Sequence, residues 1–131
     1  KQFTKKPISF IPFWINQNVF FNIENKKELK KKYEISSDSY LVGSFQRDTE
    51  KKGFKKPKLS KGPDNFIQIA KHLYETNPQT NIVLAGKRRE YIISKLKKEK
   101  IPFNYFEMVN FKELNELYNI PKIYKILFNS Q

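Results

Sequence analysis

Three arginines stand apart in a chain whose other basic residues are all lysine: Arg47, Arg88 and Arg89. Arg47 follows an apolar run, YLVGSF, at 40–45, and Arg88-Arg89 follow a second, NIVLA, at 81–85, after Gly86 and Lys87. Between them, Lys61-Gly62-Pro63 opens a helical pattern. A guanidinium grips phosphate oxygens bidentately. A helix start presents unpaired N–H groups and a partial positive charge, and so favours anions. Gly62 lets backbone approach closely, and Lys61 adds a full charge. Together these residues describe a diphosphate site. Arg88 and Arg89 at a helix start would oppose the helix dipole, an arrangement that a bound anion relieves. Each residue also has a plain reading. Arg47 is then a solvated loop charge, Lys61 one lysine among many, and Gly86 merely a strand end. His72 reads as a surface helix residue, and Trp14 as packing rather than a base-stacking platform. No spacing suits a metal, and there is no Walker loop and no Gly-x-Gly-x-x-Gly.

The elements that must position these residues alternate strand and helix. Asn25 and Glu28 form a capping-box pattern ahead of a short helix with Leu29 and Tyr33 on one face. After the strand at 40–45, a helix starts at Ser60 or Lys61, with Pro63 in its first turn, and runs to about Asn77. Its apolar face is Phe66, Ile69, Ala70, Leu73 and Tyr74. The strand at 81–85 leads to a helix at 88–100 with Ile92, Ile93 and Leu96 inward. A third strand spans 103–109, FNYFEMV, and a second capping box, Asn110 and Glu113, opens a helix with Leu114, Leu117 and Tyr118 inward. The run IYKILF near the end would serve as a fourth strand. Strands apolar throughout predict an α/β fold: a parallel, Rossmann-like sheet with helices on both faces. Ligands of such sheets sit beyond the carboxyl ends of the strands. The polar loop DTEKKGFKKPKL, after Arg47, reads as a flexible lid or a plain insertion. Residues 1–24 read as a linker or edge segment, and 25–131 as the Rossmann-like domain, incomplete at its carboxyl end.

The 131 residues suit one compact domain, and 38% of them are hydrophobic. The absence of cysteine excludes disulfides and thiolate metal sites. No apolar run approaches a membrane span, and the first residues do not read as a signal peptide. The net charge of +13 points to an anionic partner: nucleic acid, a phosphorylated ligand or an acidic membrane surface. The abundance of Lys, Asn, Ile and Phe is also what an AT-rich genome produces, which leaves the arginines as the informative cations.

The stretch SYLVGSFQRDTE…PKLSKGPDNFIQIAKHLYETNPQTNIVLAG resembles the donor-binding, carboxyl-terminal domain of family-four glycosyltransferases of the GT-B architecture. FIPFWINQNVFFNIENKKELKKKYEI is similar to that family's interdomain segment and first helix. FNYFEMVNFKELNELYN is similar to its nucleotide-base strand and following helix. The resemblance spans roughly residues 8 to 119. It implies that Arg47 and Lys61 hold and stabilise the leaving diphosphate of a UDP- or GDP-type sugar. Gly62 would sit at the same helix start, Gly86, Lys87 and Arg88 would line the nucleotide, and the backbone of Met108 and Val109 would meet the base. The family is retaining and needs no metal or permanently bound cofactor. Its acceptor domain and its carboxyl-terminal acidic motif find no counterpart in this chain.

The resulting expectation is the nucleotide-sugar-binding part of a bacterial glycosyltransferase of polysaccharide or glycolipid synthesis. It would be cytoplasmic, peripheral at the inner face of the membrane, and inactive without its acceptor domain. The alternatives are a basic nucleic-acid-binding module and a non-catalytic interaction domain. Nucleic acid is disfavoured, because the lysines are not interleaved with aromatics on one sheet face and no RNA-binding signature is present.

Overall fold

A computed structural model describes residues 7–10, 14–53, 55–121 and 123–124. The elements follow the order α1 (Lys26–Lys32), β1 (Tyr40–Ser44), a 3-10 turn (Leu59–Lys61), α2 (Pro63–Thr76), β2 (Thr80–Ala85), α3 (Glu90–Lys98), β3 (Phe103–Phe106), α4 (Phe111–Asn119) and β4 (Ile123–Tyr124). The strands form one sheet in the order β3-β2-β1-β4, and every pairing is parallel. This is the Rossmann-like layered α/β arrangement that the apolar strands predict. The order reverses between β1 and β4, so the crevice that such a reversal opens lies beyond the end of β1.

Alternation along the central strands divides the core in two. Val42, Ile82 and Leu84 face α2 and α3, where Phe66, Ala70, Ile92 and Leu96 are buried against them. Leu41, Val83 and Ala85 face the other way, toward Leu29 of α1 and Leu117 of α4. β3 is an edge strand, and all four of its residues are half-buried.

Several expectations need correction. Ile69 is 37% exposed. α2 instead lays Ile67, with Leu73 and Tyr74, against the core, and Ile69 falls on the opposite flank of the buried stripe. β3 ends at Phe106 rather than 109. α3 begins at Glu90, because Arg88 adopts the left-handed region at φ 61 and cannot join the first turn. Of IYKILF, only the two residues of β4 lie among those described.

Local chemistry fixes the helix starts. Asn25 accepts from Glu28 N–H at 3.3 Å, and Asn110 with Glu113 completes both halves of a capping box. Residues 21–23 join no strand. They dock on α4 through two amide side chains: Phe21 N–H donates to Asn115 Oδ1 (3.1 Å) and Ile23 N–H to Asn119 Oδ1 (2.8 Å), while Asn119 Nδ2 donates to the Phe21 carbonyl (3.0 Å). That explains two buried polar residues, Asn115 and Asn119, on a short helix; a third, Glu116, accepts instead from Lys32 and the Tyr33 hydroxyl.

Candidate functional site

Each helix that follows a strand here begins at the carboxyl edge of the parallel sheet, so the arginines and Lys61 all belong to that edge. Their surroundings differ sharply. Arg89 is fully buried, and so is its partner Asp48. Its Nε donates to Asp48 Oδ2 at 2.6 Å. Its Nη1 donates to the carbonyls of Ser44 (2.6 Å) and Ala85 (2.9 Å), and its Nη2 to Ser44 Oγ (2.6 Å). One guanidinium therefore closes the last carbonyls of both β1 and β2. Burial lowers the Arg89 pKa from its ordinary value, and Asp48 opposes that shift. An arginine starts so far above neutrality that it stays charged.

The other Asp48 oxygen works on α3. Asp48 Oδ1 accepts from Ile92 N–H (3.2 Å) and from Thr49 Oγ1 (2.9 Å), and Thr49 Oγ1 in turn accepts from Tyr91 N–H (2.9 Å). The anion that relieves a cation at this helix start is thus a side chain of the chain itself. Arg89 does not stand at a ligand rim. Ser44, Asp48 and Thr49 are the residues that sequence reasoning missed. Their one legible signal was the mismatch already noted, an arginine at the start of a helix, read together with an aspartate just past the neighbouring strand.

The loop after Arg47 is a pinned hairpin rather than a loose lid. Thr49 bridges Pro57 antiparallel, and Glu50 N–H donates to the Lys56 carbonyl at 3.0 Å. Asp48 N–H and Thr49 N–H both donate to the Arg88 carbonyl (3.2 and 3.1 Å), and Gly53 N–H donates to Glu90 Oε1 (3.4 Å). Lys58 N–H donates to the Asp48 carbonyl at 2.7 Å, and Lys61 N–H to the Lys58 carbonyl at 3.0 Å. These bonds draw the far end of the loop back to the residue after Arg47. Arg47 is exposed and Lys61 half-buried. Gly62 follows at φ 55, and no side chain caps the 14-residue helix α2 behind it.

Gly86, Lys87 and Arg88 form the next group along the edge. Gly86 has φ +92, a conformation that glycine adopts without strain, and nothing lies within 4 Å of where a Cβ would be. Its N–H donates to the Phe106 carbonyl (3.0 Å), and its carbonyl accepts from the Tyr105 hydroxyl (3.1 Å), whose pKa burial raises. Lys87 is exposed, and Arg88 Nη1 reaches the Glu50 carbonyl at 3.3 Å. Met108 is 71% exposed past the end of β3, whereas Val109 packs into the α1/α4 core. β3 lies two strands from β1, roughly 10 Å across the sheet. Arg47 thus follows β1 and Lys61-Gly62 open the next helix, whereas Met108 and Val109 stand past β3 at the far rim.

A cavity of about 680 Å³ opens at the opposite edge, beside Lys26, Lys30, Tyr40, Asn77 and Gln79, and takes in none of these residues. Among the described residues no group of acidic or histidine side chains could hold a metal ion, and no helix is long and apolar enough to cross a membrane. No family model matches the chain, and no curated protein does.

Proposed function

We propose that this chain binds a nucleoside-diphosphate sugar of the UDP or GDP type at the carboxyl edge of its sheet, as the donor-binding part of a retaining glycosyltransferase. The observation that supports this reading best is the pair of hydrogen bonds that runs from the Asp48 carbonyl through Lys58 to Lys61. It folds the fourteen-residue loop between β1 and the 3-10 turn so that the stretch bearing Arg47 and the start of α2 share one edge. In this reading Arg47 and Lys61 grip the diphosphate, and Gly62 lets its oxygens approach the backbone at the helix start. The two cations offset charge as it builds on the departing diphosphate, so no metal is required for that step. Gly86, Lys87 and Arg88 flank the nucleotide, and the backbone of Met108 and Val109 meets the base. The resemblance to family-four glycosyltransferases supplies the sugar-transfer chemistry, a bacterial setting in polysaccharide or glycolipid synthesis, and a cytoplasmic place at the inner membrane face. It also implies an acceptor domain as the partner in transfer.

Calorimetric titration with UDP and GDP tests the proposal. Saturable binding of either one that is lost in Arg47→Ala supports it. Silence with both nucleotides, or binding that Arg47→Ala leaves intact, overturns it.

A further inference from the structure

The positive charge is not spread evenly over the molecule. Residues 50–58 and 90–100, which are the hairpin and α3, carry nine lysines against three glutamates. Residues 24–34 and 110–120, which hold α1 and α4 on the opposite face of the sheet, carry six lysines against five glutamates. A genome-wide lysine bias loads both faces alike, so it accounts for the second pattern and not for the first. The hairpin and α3 are also one physical unit, joined by the Gly53–Glu90 and Arg88–Glu50 bonds. Lys51, Lys52, Lys55, Lys56, Lys97 and Lys98 are all exposed on it. Lys55, Lys97 and Lys98 border a shallow cavity of about 550 Å³ against Ile93. The acids there are partly committed elsewhere: Glu99 pairs with Lys71 of α2 at 3.0 Å, and Glu90 Oε1 accepts from Gly53.

We infer that this hairpin–α3 face docks on an anionic lipid bilayer. Two features favour a bilayer over nucleic acid. The cations are lysines, which act as point charges toward a diffuse sheet of phosphates, whereas arginines are the usual fork for a nucleic-acid backbone. The face also offers no stacking platform among the described residues: the Tyr91 hydroxyl bonds to Asp64, and Lys95 sits 5.3 Å from the centre of its ring. Large apolar side chains such as Phe21 and Phe111 are exposed on the α4 side instead. Attachment through the basic face is therefore electrostatic, shallow and salt-sensitive. This inference names a surface for the membrane setting proposed above, and it rests on where the charges lie rather than on the donor site.

The test is co-sedimentation of the full chain with phosphatidylcholine vesicles, with and without phosphatidylglycerol. The expected result is binding to the anionic vesicles alone, reversed by high salt. The variant Lys55→Glu/Lys97→Glu/Lys98→Glu should weaken binding by roughly 100-fold, with its circular dichroism unchanged. The matched variant Lys27→Glu/Lys31→Glu/Lys112→Glu, on the other layer, should bind nearly as the parent does. Absence of binding to anionic vesicles, equal loss in both variants, or tighter binding to an oligonucleotide duplex at the same salt overturns the inference. Nucleotide titration of the first variant separates the two readings. Its UDP or GDP affinity should match the parent's, and failure of nucleotide binding with vesicle binding intact overturns only the donor site.

Discussion

The starts of α2 and α3 stand at the same edge of the sheet and have a similar sequence prelude, a basic residue or two followed by a helix. α3 receives a carboxylate from within: Asp48 meets both the buried Arg89 and the Ile92 N–H, and Thr49 meets the Tyr91 N–H. α2 receives no side-chain cap and is led by Lys61 and the left-handed Gly62. The difference teaches how to read a cation beside a helix start. A cation that meets an internal anion, as Arg89 meets Asp48, is architecture, and its place in the sequence alone does not make it a ligand contact. Arg89 and Arg47 are the two outcomes, one buried and one exposed.

Removing the internal anion gives the largest effect. Asp48→Ala leaves a buried guanidinium without its counter-charge, and the Ile92 N–H and Thr49 hydroxyl without their acceptor, and should cost about 3–5 kcal/mol in urea denaturation. Acetate or formate should recover part of that loss in the variant and add nothing comparable to the parent. Lack of any such rescue would mean that the α3 start is not an anion site once emptied. On the α2 side, Arg47→Ala should leave stability within about 0.5 kcal/mol of the parent. It should weaken UDP or GDP binding roughly 10- to 100-fold, the loss of one or two charge-assisted hydrogen bonds. A large stability loss in that variant would move Arg47 into the same class as Arg89. Gly86→Ala probes the turn between the two starts. With open space where the Cβ would lie, the cost is backbone strain alone, about 1–2 kcal/mol by thermal unfolding.

The smallest effect concerns Glu116, a buried carboxylate whose lysine partner is half exposed. Burial raises the Glu116 pKa, but hydrogen bonds from Lys32 and Tyr33 more than offset this and hold it below the ordinary carboxylate value. A depressed pKa in the folded state stabilises the fold above the unfolded value and loses that contribution as the pH falls through the folded one. Glu116→Gln should therefore cost under about 1 kcal/mol near neutrality, since Lys32 is half exposed. The gap to the parent should close in urea titrations below roughly pH 4.

Much of the fold was legible because its signals are local. Unbroken apolar strands, Pro63 at a helix start, and the Asn110–Glu113 box each act within a few residues. The misses are non-local. Asp48 and Arg89 are 41 positions apart, and no spacing rule joins them until the parallel pairing of β1 and β2 brings their ends together. The hairpin read as loose because lysine-rich sequence predicts solvation, whereas its order comes from backbone bonds to Arg88 and Glu90. The docking of residues 21–23 on α4 was hidden for a related reason. Asn115 and Asn119 look like ordinary polar surface until the segment that they bind is folded beside them. That the end of β1 and the start of α2 share one edge was readable, since any strand-helix unit in a parallel sheet returns there.

The amide clasp on α4 has a mechanical consequence. Asn119 both gives to and takes from the passing backbone at Phe21 and Ile23, as a neighbouring strand would, and Phe20 lies beside Phe111 and Tyr118 just before it. Polypeptide arriving from the amino-terminal side is thereby steered along one fixed bearing over this helix. Two asparagines, Asn115 and Asn119, set that heading, and the loss of both would turn a guided path into a swivel.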